Sequence, residues 1–148
     1  MKTLWQPEAH EELARRIAQL TPDNRAKWGR MSAQQMVCHL VVSLQMANGE
    51  KPVEPKRMPL RLPVIKHLVL YVLPFPKNAP TAPELIVAST PNTWQQDVDD
   101  LRTSLNRFVA RGRDARWPDH PAFGRLSARD WGVLVYRHVD HHLRQFGL

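Results

Sequence analysis

Three histidines fall within five residues near the C-terminus: His138, His141 and His142. We read their spacing on a helix that advances about 100° per residue, counted from Trp131. Val135, Val139, Leu143 and Phe146 then fill an apolar arc from roughly 40° to 120°, extended by Leu134 at roughly 300°. Arg137, Asp140 and Arg144 gather between about 180° and 240°, the side expected to face water. His142 falls at roughly 20° and His138 at roughly 340°, inside the apolar arc, with His141 at its edge at about 280°.

Two imidazoles one turn apart therefore point where a core should be. A buried imidazole needs a partner at each ring nitrogen. One solution is a divalent cation gripped by the i, i+4 pair, as in zinc-binding H-x-x-x-H arrangements. Val139 follows His138, so the metalloprotease motif H-E-x-x-H is absent. The other solution is a pair of hydrogen-bonded structural histidines. A third imidazole, His39, sits mid-helix beside Met36, Ser43 and Met46, on the flank of another apolar stripe. Bundles build metal sites from facing helices. Three protein ligands leave a fourth position for water or substrate, which is the catalytic zinc pattern. Read alone, His39 is better explained as a satisfied helix-flank histidine.

The remaining candidates are weaker. Cys38 lies about 100° round the helix from His39, so the two do not readily share one ion. It reads as a small buried hydrophobe. His120, in Asp119-His120-Pro121, reads as a loop residue used for structural hydrogen bonds. His10 and His67 read as surface or amphipathic positions.

Four helices must position these side chains. The first is predicted over Glu8–Leu20, with Pro7 suited to its start and Ala9, Leu13, Ile17 and Leu20 on one face. Thr21-Pro22-Asp23-Asn24 breaks it. The second opens on a capping box, Ser32 with Gln35, where Met31 can staple to Met36. Met36, Val37, Leu40, Val41, Leu44 and Ala47 form its stripe, and Gly49 stops it. Nine of the thirteen prolines then lie between Pro52 and Pro91. Within that crossover Pro63–Leu73 predicts a short extra helix. The rest, including Pro74–Pro80, predicts extended loop, and its apolar content predicts a buried excursion between helices. Thr93 with Gln96 opens the next helix, whose stripe is Trp94, Val98, Leu101, Leu105 and Phe108, ended by Arg111-Gly112. Ser127 with Asp130 opens the last. Leu85–Ala88 is too short to compete as a strand. The pattern predicts an all-α helical bundle with a long proline-rich crossover. At 148 residues, it predicts a single domain over residues 1–148.

The charge balance is 21 Lys+Arg against 14 Asp+Glu, a formal +7. That balance invites a nucleic-acid reading. However, Arg111, Arg113 and Arg116, and the group Lys56, Arg57 and Arg61, lack the interleaved aromatics of a stacking platform. There is no zinc-finger spacing or glycine-rich phosphate loop, so we expect no nucleic-acid partner. The most apolar stretch, Leu62–Phe75, carries Lys66 and His67 and falls short of the ~18–20 residues that span a bilayer, so no membrane partner is expected. One cysteine excludes an internal disulfide framework and fits a reducing compartment. Met1–His10 has no apolar core of signal-peptide length. The expected location is cytoplasmic.

The segment Trp28-Gly29-Arg30-Met31-Ser32-Ala33-Gln34-Gln35-Met36, followed by His39-Leu40, resembles a bacterial domain-of-unknown-function branch of the DinB-like superfamily. The central Pro76-Lys77-Asn78-Ala79-Pro80-Thr81 is similar to it as well. The specific part is C-terminal: His120-Pro121-x-Phe123-Gly124-x-Leu126-Ser127, then Trp131, then Tyr136-Arg137-His138-Val139-Asp140-His141-His142-Leu143-Arg144-Gln145-Phe146-Gly147. The resemblance implies an antiparallel four-helix bundle with a long connection between its second and third helices. It also implies a three-histidine divalent metal site, carried here by His39, His138 and His142. Three imidazoles suit zinc or nickel, and also iron or copper.

Characterised relatives in that superfamily include thiol-dependent transferases and isomerases that use bacillithiol, mycothiol or glutathione. By resemblance, the metal would favour the thiolate and hold it beside an electrophile, and arginines would meet the thiol's carboxylates. No activity carries over to this branch. The expected function is a divalent-metal-binding protein, read as a metal-dependent enzyme acting on a small molecule: a thiol-dependent transferase, or a hydrolase-like enzyme. The competing reading is a non-enzymatic bundle with structural histidines that forms a homodimer or binds a partner. Five tryptophans and a crossover able to expose apolar surface support that alternative.

Overall fold

The computed structural model describes residues 1–56, 58–77 and 92–148. Arg57, the Asn78–Pro80 end of the expected loop and the Leu85–Ala88 stretch lie outside the described residues. Among the described residues the protein is all-helical. Its elements are α1 (Pro7–Ile17), α2 (Ala33–Ala47), a 3-10 turn (Pro59–Arg61), α3 (Pro63–His67), a π turn (Leu68–Val72), α4 (Trp94–Arg111) and α5 (Ala128–Gln145). No strand occurs among them; His120 and Gly124 make one isolated bridge.

The helix starts follow local chemistry. The first turn of a helix leaves backbone N–H groups without partners, and a capping box supplies two at once. Ser32 Oγ accepts from Gln35 N, and Gln35 Oε1 accepts from Ser32 N. Thr93 with Gln96 and Ser127 with Asp130 repeat the arrangement at α4 and α5. Each such cap contributes about 1 kcal/mol. The first helix ends at Ile17, three residues short of the sequence expectation, yet Leu20 is still buried beneath the turn that follows.

The apolar stripes of the four long helices meet in one core that includes Leu13, Met36, Leu40, Leu101, Phe108, Trp131 and Leu143. α2 packs on α4 and α5, and α1 packs on α5 and α4. Named contacts give the directions. Gln34 donates to Asp97 near the starts of α2 and α4, and Arg111 donates to Asn48 O at their ends, so this pair runs parallel. Tyr136 bonds Glu12 and Arg16 bonds Asp140, so α1 and α5 also run parallel. Trp5 stacks on Phe108 while His10 meets Asn106, the opposite sense for α1 against α4. A parallel α2/α4 neighbour requires the chain to return the length of the molecule, and the long crossover does this.

Over its described stretch Pro59–Leu73, that crossover is not the buried excursion its composition suggests. Leu70 alone among Pro59–Leu73 is fully buried; Leu62, Val64, Leu68, Val72 and Leu73 are exposed. The segment is tied to the body by Leu70, by the partly buried Leu60, Val69 and Tyr71, and by polar groups. Arg137 on α5 donates to the carbonyls of Val69, Leu70 and Leu73. Lys66 Nζ donates to Arg125 O and Tyr71 OH to Asp130. Arg137 and Asp140 therefore stand on the wheel's wet side and are nonetheless half-covered. The cover comes from distant parts of the chain, namely the crossover and α1.

Candidate metal centre

His39 lies in the middle of α2 and is buried at 6% exposure, one turn past Met36. Ser43 Oγ donates to the His39 carbonyl from the following turn. His138 and His142 occupy successive turns at the end of α5. The packing of α2 on α5 brings the three imidazoles together. His39 Nε2 is 3.2 Å from His138 Nε2, which is 3.2 Å from His142 Nε2. The three can each offer one nitrogen to a single cation.

Geometry and proton bookkeeping are both compatible with a cation there. A tetrahedral ion about 2.0–2.1 Å from each nitrogen sets its ligand nitrogens about 3.3–3.4 Å apart, close to the 3.2 Å that separates His138 Nε2 from each of the other two. A neutral imidazole nitrogen has one hydrogen or one lone pair to give, in the ring plane. His138 Nε2 faces two other nitrogens and can pair well with only one of them. A cation between them could engage all three lone pairs together.

The tautomer of His142 is set by its surroundings. Gln145 Nε2 donates to the Trp28 carbonyl at 2.7 Å, so Gln145 Oε1 faces His142 Nδ1 at 2.8 Å and accepts its hydrogen. The Nε2 lone pair of His142 is thereby turned towards His138. Such an outer bond fixes ring orientation in metal sites and raises ligand basicity. Electrostatics agree with neutral rings. Burial, then the neighbouring His39, pushes His142 down to about 3. His138 keeps some contact with solvent, yet desolvation and then the charges of His142 and His39 hold it well below the ordinary histidine range.

Aromatic rings frame the cluster. Phe75 from the crossover stands 6.5 Å from the His138 ring and 5.9 Å from that of His141. Trp28, from the loop before α2, meets His141 edge-on, and Lys77 lies over the Trp28 ring. His141 thus belongs to the wall and not to the converging set. Cys38 is buried on another side of α2. His120 Nδ1 accepts from the N–H groups of Ala122 and Phe123, a loop-building role. His10 bonds Asn106 and His67 stacks on Tyr71.

Sequence reasoning named His39, His138 and His142 and missed Gln145, Trp28 and Phe75. Gln145 carried a signal: it falls at about 320° on the α5 wheel, a polar residue inside the apolar arc next to His138. Trp28 and Phe75 come from irregular segments, where no period reports which way a ring points.

A family model described as protein of unknown function (DUF1569) matches residues 4–147. No curated protein and no solved structure matches the chain.

Proposed function

We infer that this chain, which belongs to the DUF1569 family of unknown function, is a divalent-metal-binding helical bundle with His39, His138 and His142 as the ligands. The observation that carries this reading is the meeting of three imidazoles, with His138 Nε2 3.2 Å from both His39 Nε2 and His142 Nε2. We place the fold as a single-domain four-helix bundle of DinB-like type. The four long helices and the long connection between α2 and α4 support that placement, while the pairs α2/α4 and α1/α5 run parallel and not antiparallel as the resemblance implies. Zinc or nickel suits three imidazoles best, followed by iron or copper.

With three protein ligands the fourth position is open, which suits an enzyme acting on a small molecule, such as a thiol-dependent transferase or a hydrolase. An ion held there supplies Lewis acidity and lowers the pKa of a water or thiol beside it. The protein's own residues do the rest. Gln145 orients His142, the α2/α5 contact sets the distance of His39, and Phe75 and Trp28 restrict water around the open side.

The test is elemental analysis of untagged protein after supplementation with zinc and with nickel. One ion per chain, lost in His138→Ala, is the expected outcome. Sub-stoichiometric metal after supplementation, with no difference in His138→Ala, would overturn the reading and leave structural histidines in its place.

A further inference from the structure

Among the described residues seven large hydrophobic side chains are exposed, and six of them lie between Met58 and Leu73. Val64, Leu68 and Val72 follow one another at intervals of four along α3 and the π turn. They form an outward ridge, with Val64 72% and Val72 60% exposed. Leu62 and Leu73 extend the ridge at its two ends, at 58% and 48%. The opposite side of the same segment is anchored by Leu70 in the core and by Arg137, Lys66 and Tyr71. The anchoring fixes the apolar ridge outward. An exposed apolar patch of this kind marks a surface that meets something.

The charge pattern says what. Between Met58 and Lys77 the segment holds no Asp or Glu, and Arg61 stands next to Leu62 at one end of the ridge. Arg129, at the start of α5, adds its guanidinium over the Tyr71 ring beside the ridge. Asp130, the carboxylate on the inner side, is engaged by Tyr71 and Ser127. A short apolar ridge with a cationic rim matches an anionic lipid surface, where side chains enter the acyl boundary and Lys and Arg meet headgroups. A second copy of this chain fits less well. Two-fold pairing would set Arg61 and Arg129 against like charges, with no acidic residue between Met58 and Lys77 to meet them.

We propose that the ridge Leu62–Leu73 is a peripheral docking surface for anionic membranes. Among the described residues no helix is long and apolar enough to cross a bilayer, and this does not bear on the proposal, since a docking ridge lies on the bilayer surface. The proposal is independent of the histidine cluster.

Flotation of the whole protein with phosphatidylcholine vesicles, with and without phosphatidylserine, tests it. Binding is expected only with phosphatidylserine and is expected to weaken as salt is raised. The double variant Val64→Ser/Val72→Ser should bind at least about tenfold more weakly, because its insertable apolar surface is gone. Both positions are exposed, so its helical circular dichroism should be unchanged. Three results would overturn the proposal: no flotation with either vesicle, binding by the double variant equal to the parent's, or a parent dimer that the double variant dissociates without any lipid binding.

Discussion

His142 gives its Nδ1 hydrogen to Gln145 Oε1 at 2.8 Å, one turn further along α5. The amide can face only this way, because its nitrogen must donate to the Trp28 carbonyl. A loop outside the helices thus decides which nitrogen of His142 presents a lone pair. Gln145 is 3% exposed, so no water readily takes its place. We expect Gln145→Leu to weaken metal affinity about 10–100-fold, the usual cost of losing an outer-sphere partner. Competition against a chromophoric chelator measures it. An unchanged affinity would show that the ring is oriented by packing alone.

His141 tests the assignment from the other side. It adjoins His142 in sequence, but its ring meets Trp28 and Phe75 and not the point where the other three converge. With zinc at 100 times the dissociation constant, binding stabilises a native state by about 2.7 kcal/mol. Calorimetric scans with and without zinc should show that gain in the parent and in His141→Ala, and lose it in His138→Ala. A gain abolished by His141→Ala would move the ligand set by one position.

What the sequence disclosed and what it hid divide along one line. The starts of α2, α4 and α5 were readable because Ser32, Thr93 and Ser127 find their partners three residues on. The convergence of His138 and His142 was readable because both lie on one helical face. Burial of Arg137 and Asp140 was not, since their partners are Val69, Leu70, Leu73 and Arg16, from 64 to 124 residues away. The crossover misled for a related reason. Apolar composition reads as burial, but whether Val64 turns inward depends on polar ties made by Lys66, Tyr71 and Arg137, which composition does not report.

His120 should contribute a pH dependence of stability. Its Nδ1 accepts two backbone N–H groups, its ring packs on Phe123 and Trp131, and burial pushes it down to about 4. The unfolded chain takes up a proton near pH 6.5 that the folded chain refuses until about pH 4. Stability is therefore full above 6.5 and is lost as pH falls towards 4, by roughly 2 kcal/mol at pH 5. His138 and His142 act in the same direction, so one residue must be isolated. Asn can accept the same N–H groups as an Asx turn and does not titrate. Urea unfolding of His120→Asn at pH 7 and pH 5 should show a stability difference about 2 kcal/mol smaller than the parent's. An equal difference would mean that His120 is protonated in the fold.

The N-terminal segment makes a prediction that depends on a single hydrogen atom. Leu4 N donates to Gly132 O and Trp5 Nε1 to Ala128 O, which lays residues 3–5 directly across the first turns of α5. A methyl group at 132 would enter the Trp5 indole and the Thr3 hydroxyl. Trp5 cannot swing away, because it stacks on Phe108 and meets Trp117. Helix propensity alone would make Gly132→Ala stabilising by about 1 kcal/mol. Overpacking costs about 1–3 kcal/mol, and with the indole held on three sides we expect the upper part of that range to win. Gly132→Ala should then lower stability in urea by about 1–2 kcal/mol. In a Trp5→Ala background the same substitution should cost less, since the ring is gone and only the Thr3 hydroxyl still stands against the methyl. The double-mutant cycle reads the coupling directly. A cycle with no coupling would mean that the N-terminal segment does not rest on Gly132.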